Sequence, residues 1–270
     1  MISVVVPAYD EEDCLGACLA TLASQTAEHE VIVVDDGSTD ATCEVAEAHG
    51  ARLLRQAHRG PAVARNLGAS VAAGEILAFL DADMTFAPDF LEKLVAPIVA
   101  GDAVGTFTRD ELLANGDKRW ARFVNVASGL PPDRRMPADF GDEGPVFRAI
   151  RRDAFERAGG YDDVGTGEDV TISRKLGVLA RRAEGAVCWH RNPHTAREIF
   201  SSARWYGKSD VRDRGPHEYV RMLPPISVAR ALKAGARHRS LSYAGFQLVR
   251  DTGHLAGLLS HDLFHSHHAR

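Results

Sequence analysis

The amino-acid sequence predicts an α/β fold: a Rossmann-like, mostly parallel sheet with helices on both faces, followed by a helical C-terminal extension. Two observations carry this. Short, all-apolar, β-branched runs alternate with helical patterns through the first hundred residues, the signature of strands covered on both faces by helices. Three of these runs end in acidic clusters, and the carboxyl ends of strands are where open parallel sheets hold ligands.

The elements follow in order. Ile2–Val6 is a β-branched run. Leu15, Cys18, Leu19 and Leu22 then recur at i, i+3, i+4, i+7, one face of a helix. Val31–Val34 is a second strand, about Ala41–His49 a helix, and Arg52–Arg55 a weaker third strand. Pro61–Ala73 is expected as a helix, Ile76–Leu80 as a strand, and Pro88–Val99 as a helix with proline in its first turn. The regularity fails after about Gly101. Residues 105–145 are rich in Gly, Pro and charge, with a short helix expected around Trp120–Val126; such a stretch suits an acceptor loop or lid. A strand (Pro145–Ile150), a helix (Arg152–Ala158), a loop (Gly159–Gly167), a helix (about Asp169–Leu179) and a strand ending at His190 come next. The remainder is helical, with a linker near Asp213–His217. The expected division is 1–210, whose halves are 1–100 and 101–210, and an extension over 211–270.

With 270 residues and 45% hydrophobic content, the chain can bury a full core. Its net charge of −5 excludes the basic excess of a nucleic-acid binder. None of the four cysteines forms a C-x-x-C pair. Cys14 and Cys18, spaced i, i+4 in an apolar helical pattern, are expected as buried free thiols, which fits a reducing compartment. The apolar start stops at Pro7, and no stretch reaches the roughly 20 apolar residues of a spanning helix. A cytoplasmic enzyme is the expectation. Leucines at 241, 248, 255, 258, 259 and 263 add two readings of the tail: packing onto the domain, or peripheral contact with the inner face of a membrane.

The chemistry gathers at strand ends. The first ends in Pro7-Ala8-Tyr9-Asp10-Glu11, the second in Asp35-Asp36-Gly37-Ser38, the fourth in Asp81-Ala82-Asp83. Like charges on one rim need a cation or donor groups to offset them. Hard oxygen ligands with open positions suit Mn²⁺ or Mg²⁺ carrying a diphosphate. Each piece also has a plain structural reading: Asp35 to Asp40 as a helix cap, and Asp10 to Asp13 as first-turn acids favouring a helix dipole.

In combination these motifs resemble a family of enzymes. Val4 to Glu11, Val33 to Asp40, Ala64-Arg65-Asn66-Leu67-Gly68 and Phe79-Leu80-Asp81-Ala82-Asp83 are similar, in that order, to the family 2 glycosyltransferases of GT-A fold. Phe147-Arg148, Gly159-Gly160-Tyr161-Asp162 and Gly167-Glu168-Asp169 are similar to that family's acceptor half. The resemblance implies an inverting transfer of sugar from a nucleotide-diphosphate donor to an acceptor hydroxyl, on a glycan, a lipid-linked sugar or a small molecule. It implies that Asp36 recognises the donor base, typically uracil, and that Pro7, Ala8, Tyr9 and Glu11 line the nucleoside pocket. It puts Arg65 near the nucleotide and makes Asp83 a direct metal ligand. Asp81 would reach ribose or metal through water, and His190 would complete the metal shell. Asp169 becomes the general base, with Glu168 its neighbouring candidate. The sequence departs from the pattern at Asp10, where asparagine is frequent, and at Met84, where a third acid often stands. Arg204-Trp205 resemble a processive-synthase motif whose glutamine position is Ser201 here. Arg204 and Lys208, i, i+4 on one helical face, are candidates for the leaving diphosphate, or a solvated basic face.

Thr166 to Asp169 also has capping-box spacing. His261, His265, His267 and His268 crowd the tail; His261 and His265 have metal-ligand spacing, and a frayed polar tail is the competing reading. The rival functions are a retaining glycosyltransferase, a nucleotidyltransferase and a non-catalytic nucleotide-sugar binder. The acidic loop after the first strand counts against triphosphate binding.

Overall fold

The computed structural model describes residues 1–137, 139–209 and 216–264, without the side chains of 209, 216–218 and 261–264. Its contacts divide the chain into two units: Met1–Ala114 with Asp133–Arg191, and Asn115–Pro132 with the chain from Asn192 onward. That division differs from the expected boundary at 210, because the helix over Ala196–Ser209 goes with the C-terminal helices, and the helix around Trp120 joins them. The linker expected near Asp213–His217 falls mostly outside the described residues, as do His265, His267, His268 and the side chain of His261.

The first unit is built on an eight-stranded sheet. Its first part is β1 (Ile2–Ala8), α1 (Leu15–Ala23), β2 (His29–Asp35), α2 (Thr42–Ala48), β3 (Arg52–Arg55), α3 (Pro61–Val71) and β4 (Ile76–Phe79). Then come β5 (Met84–Phe86), α4 (Phe90–Val99), β6 (Gly105–Phe107), β7 (Glu111–Leu113), β8 (Glu143–Gly144), β9 (Ala149–Arg151) and α6 (Arg152–Arg157), with α5 (Arg119–Ala127) contributed to the second unit. A 3-10 turn (Glu168–Val170), α7 (Thr171–Leu176), β10 (Ala180–Arg182) and β11 (Cys188–His190) complete it. The order is β3-β2-β1-β4-β9-β6-β10-β8, with β9 and β8 antiparallel to their neighbours and the rest parallel. A separate small sheet has the order β5-β11-β7.

Alternation along β1 explains the two-faced core. Val4 and Val6 point into one cluster with Leu15, Leu19 and Leu22 of α1 and Phe90, Leu91 and Leu94 of α4. Val5 points into the other, with Ala64 of α3 and Phe79, Phe155 and Tyr161. The α3 helix lies close on β1 at Gly68, where a Cβ would run into the Val5 side chain.

Several expected boundaries move for local reasons. Pro88 stands outside α4, which starts at Phe90 with Asp89 in the N-cap position. The helix expected to reach Leu179 stops at Leu176, because Gly177 turns left-handed at φ 67°. The expected strand Pro145–Ile150 becomes the shorter β9. Within 105–145, expected as a loop with one helix, three short strands form around that helix.

The second unit is helical: α5, α8 (Ala196–Ser209), α9 (Pro216–Met222), α10 (Pro224–Arg237) and α11 (Leu241–Phe264). Helices α8 and α11 meet at glycines. A Cβ on Gly207 would strike the His254 carbonyl, one on Gly253 the Phe200 carbonyl, and one on Gly257 the Arg204 carbonyl. Between α5 and α11, Phe123 meets Tyr243 edge to face with centroids 4.8 Å apart, and Trp120 Nε1 donates to Ser242 Oγ at 3.0 Å. The leucine stripe is divided: Leu258 is buried, whereas Leu241 and Leu259 are exposed. Among the described residues, no helix is long and apolar enough to cross a membrane.

Candidate active site

The strand order reverses between β1 and β4, which opens a crevice beyond their carboxyl ends. The loops after β1 and β2 are tied together by their own acids. Asp10, at φ 52°, accepts the Thr39 N–H at 2.7 Å, and its own N–H donates to Ser38 Oγ at 2.9 Å. Asp tolerates this left-handed backbone better than most residues. The Glu12 carboxylate accepts the Ala41 N–H at 2.9 Å, and the Glu11 N–H donates to Thr42 Oγ1 at 2.8 Å. Asp40 accepts the Thr42 N–H at 3.0 Å at the start of α2. So part of the acidic rim does serve turns and helix starts.

Asp36 is buried, and four donors surround its carboxylate. Oδ1 accepts from Gln56 Nε2 at 2.6 Å and the Arg59 N–H at 2.8 Å; Oδ2 accepts from the Gly60 N–H at 2.8 Å and lies 2.9 Å from His58 Nδ1. The His58 ring packs against Tyr9 with centroids 4.2 Å apart. Its Nε2 is a buried atom without a hydrogen-bond partner among the described residues. Pro7 and Ala8 pair with Val34 and Asp35 in the register of β1 on β2. Tyr9, Glu11, Asp36 and His58 thus gather at adjoining strand ends.

Farther along the crevice runs a chain of opposite charges. Glu168 accepts from Arg65 Nη1 at 2.7 Å, and Arg65 Nη2 donates to Asp81 Oδ1 at 3.0 Å. Arg148 donates to Asp81 Oδ2 at 2.8 Å and to Glu111 Oε2 at 3.2 Å. Glu111 Oε1 is 2.8 Å from His190 Nδ1, and His190 Nε2 is 3.1 Å from both oxygens of Asp83. The small sheet makes the last contacts: Cys188 pairs with Glu111 and His190 with Met84, next to Asp83. Burial alone would raise the Asp81 carboxyl, but Arg148 and Arg65 outweigh it and hold it well below the usual range. Burial works the same way on Glu111 and is overcome by Arg148 and the bond to His190. Burial would lower His190, yet the Asp83 charge and the bonds to Asp83 and Glu111 raise it to about 9.

The expected metal set therefore divides. Asp81 turns to two arginines, whose charges offset it without a metal. Among the described residues no group of three or more His, Cys, Asp or Glu side chains is arranged to hold a metal ion. Asp83 and His190 do meet. Their donor set fits one corner of a divalent-ion site: a carboxylate, an imidazole nitrogen, and a second nitrogen anchored to Glu111. Ligating histidines commonly give their other nitrogen to a carboxylate in this way. Ala82, between the two acids, is buried.

The two candidate bases part company. Glu168 is buried and held by Arg65. Asp169 is half-buried, and no hydrogen bond or ion pair to its carboxylate is found among the described residues. The capping box does not form: Gly167, left-handed at φ 84°, holds the N-cap position and no side chain caps the turn. Arg204 and Lys208 lie on α8, in the second unit. Lys208 is buried rather than on a solvated face, and burial, then Arg204, lowers its pKa. The cysteines are free thiols, with Cys14, Cys18 and Cys188 buried.

Sequence reasoning did not single out Glu111 or His58. Each stands on a segment of weak pattern, β7 and the loop after β3, and gains its role only through partners distant in sequence.

Residues 3–159 match the family described as Glycosyl transferase family 2. The chain is 38% identical over 139 residues to the uncharacterized glycosyltransferase YibD of Escherichia coli, which covers 49% of this chain and 39% of that protein. It spans well under two thirds of the length of such curated relatives. Among solved structures it resembles TarS 1–349 of S. aureus in complex with UDP-GlcNAc, with a TM-score of 0.58 and 16% identity over 97% of this chain and 91% of that one. It also resembles the mannosyltransferase PcManGT of Pyrobaculum calidifontis in complex with GDP-Man and Mn²⁺, with a TM-score of 0.57 and 23% identity over 98% and 87%. These likenesses show the GT-A fold.

Proposed function

The chain belongs to glycosyl transferase family 2, and from that premise we propose that it transfers a sugar from a UDP-sugar to an acceptor hydroxyl with inversion at the anomeric carbon. The donor lies in the crevice beyond β1, β2 and β4. Tyr9 and His58 flank the base, and Asp36 reads the imide N–H of uracil, directly once Gln56 or His58 gives way, or through His58. A carboxylate or an imidazole acceptor matches that N–H and is unmatched by the ring nitrogen of cytosine. Two solved neighbours hold donors with different bases, UDP-GlcNAc and GDP-Man, so the preference for uracil rests on this chain's own pocket.

Asp83 and His190 would hold Mn²⁺ or Mg²⁺, which when bound neutralises charge on the departing diphosphate. Asp169 accepts the acceptor's hydroxyl proton as that oxygen attacks the anomeric carbon. The bond from that carbon to the diphosphate oxygen breaks, and the diphosphate leaves with the electron pair. One displacement inverts the centre. The observation that carries this reading is the contrast at residues 168 and 169: Glu168 is bound to Arg65, while no hydrogen bond or ion pair engages the Asp169 carboxylate among the described residues. In this reading the enzyme is cytoplasmic and works against the inner face of a membrane through its C-terminal helices.

A thermal-shift panel of UDP-, GDP- and dTDP-sugars with and without Mn²⁺ tests the donor, since a ligand of the native state raises stability with its saturation. The product's anomeric configuration, read by NMR, separates inversion from retention. Undiminished turnover in excess EDTA would remove the metal.

A further inference from the structure

Residues 219–250 contain six Lys or Arg and no Asp or Glu, in a chain of net charge −5. The same stretch is apolar on its outside. Of the twelve large apolar side chains exposed among the described residues, six fall within 220–241. Leu223, Ile226, Val228 and Leu232 are 38% to 58% exposed. The helix geometry explains how. Ser227, Ala231 and Gly235 recur every fourth residue and form the inner face of α10. Ser227 Oγ is 2.9 Å from Asp251 on α11, and a Cβ on Gly235 would press on Ala244. With that face spent on α11, Val228 and Leu232 point outward, and Lys233 and Arg237 flank them. Both bases are exposed, without a carboxylate partner among the described residues. The helix ends at Arg237, and just past its cap at His238 stands Arg239, a non-glycine residue at φ 49°, with the Ser240 N–H bonded to the Gly235 carbonyl. Glycine suits that position better, yet it carries an exposed base.

We propose that the outward face of α10, with the end of α9, is a docking surface for an anionic lipid bilayer. Apolar side chains enter the headgroup boundary while Lys233, Arg237 and Arg239 meet lipid phosphates. Charge complementarity selects this occupant: an apolar face for a second copy of the chain does not call for a one-signed rim, and a nucleic acid does not call for exposed leucines. The inference deepens the membrane part of the proposed reading. It is read without any transfer assay, so its failure leaves the donor chemistry standing.

The test is sedimentation of the full chain with vesicles of phosphatidylcholine alone or with phosphatidylglycerol. Binding is expected only to the anionic vesicles and weaker in high salt. The variant L223S/I226S/V228S/L232S and the variant K233E/R237E should each lose roughly tenfold or more in partitioning. Because these side chains are exposed, both variants should keep the wild-type melting temperature and UDP binding. Equal sedimentation of wild type and the apolar variant overturns the proposal. So does a failure to bind anionic vesicles, whether the face instead forms a concentration-dependent dimer that the apolar variant abolishes, or binds heparin in a way only the charge variant abolishes.

Discussion

Arg148 joins Asp81 to Glu111, donating at 2.8 Å to the first and 3.2 Å to the second. The end of β4 and the small sheet that carries His190 are thereby fastened to one guanidinium. Glu111 is buried, while the Arg148 and Asp81 side chains keep 16% and 26% of their surface exposed, so Glu111 in particular has little water to fall back on. A planar fork can serve two carboxylates at once; an ammonium on a flexible stem cannot hold that geometry.

Arg148→Met should therefore cost about 3–5 kcal/mol, the range for breaking a buried pair while its partner stays charged. Arg148→Lys should fall between. Chemical denaturation in EDTA, without donor, measures both. A loss within about 0.5 kcal/mol for the methionine variant, typical of an unimportant surface site, would refute the coupling.

Glu111 is a positioning residue for His190, and its effect should show in metal affinity before activity. Glu111→Gln is expected to weaken Mn²⁺ binding about 10- to 100-fold, the range for partners behind a ligand. Asp83→Asn should weaken it further and abolish turnover. Calorimetric titration with Mn²⁺ in the presence of UDP reads the order. An unchanged affinity in Glu111→Gln would leave Glu111 only as a counter-ion to Arg148.

Asp36 organises the loop from Gln56 to Gly60 as well as standing in the proposed base pocket. Asp36→Ala leaves the Arg59 and Gly60 N–H groups without their acceptor, which costs about 1–3 kcal/mol per buried group. Both melting temperature and UDP affinity should fall. His58→Ala, which removes the ring beside Tyr9 but not the acceptor of those N–H groups, should weaken UDP binding with a smaller change in melting temperature. UDP affinity intact in both variants would dismiss the base-reading role.

Much of the sheet half was legible in the sequence because its strands are apolar throughout and its helices bury a regular face. Leu15, Cys18, Leu19 and Leu22, spaced as one helical face, are all buried. Strands β6, β7 and β8 were not legible: two or three residues cannot display a period, and they exist through pairing with β9, β10 and β11. The site was legible as a set of residue types at strand ends. What the sequence could not state was the pairing. The resemblance set Asp83 at the metal and Asp81 at ribose or a metal-bound water, but it did not say that Arg65 and Arg148 claim Asp81 while His190 meets Asp83. The helices of the second unit were expected from the sequence; how they pack was not. Its close packing uses glycines at 207, 253 and 257, residues that weaken a helix pattern when read alone.

The contrast between Glu168 and Asp169 gives the sharpest test, because the two carboxylates should fail on different axes. Glu168 neutralises Arg65, whose side chain is 11% exposed. Glu168→Gln removes that charge and leaves the guanidinium facing an amide, so stability should drop by about 1.5–3 kcal/mol, the worth of a hydrogen bond to a charged group. Asp169 has no such partner among the described residues, and the N-cap position of its turn belongs to Gly167. Asp169→Asn should leave the melting temperature nearly unchanged and UDP binding normal. If Asp169 takes the acceptor's proton, turnover should still fall by ~10²–10⁴-fold, the usual size of a general-base effect. The asparagine keeps the shape and loses only the basic oxygen pair. Turnover of the two variants at saturating donor, with denaturation curves for each, separates the roles. Glu168→Gln slower than Asp169→Asn, under conditions where both are folded, would move the base to Glu168. Asp169→Asn at wild-type rate would leave neither the half-buried carboxylate with a catalytic role nor the inverting mechanism with its base.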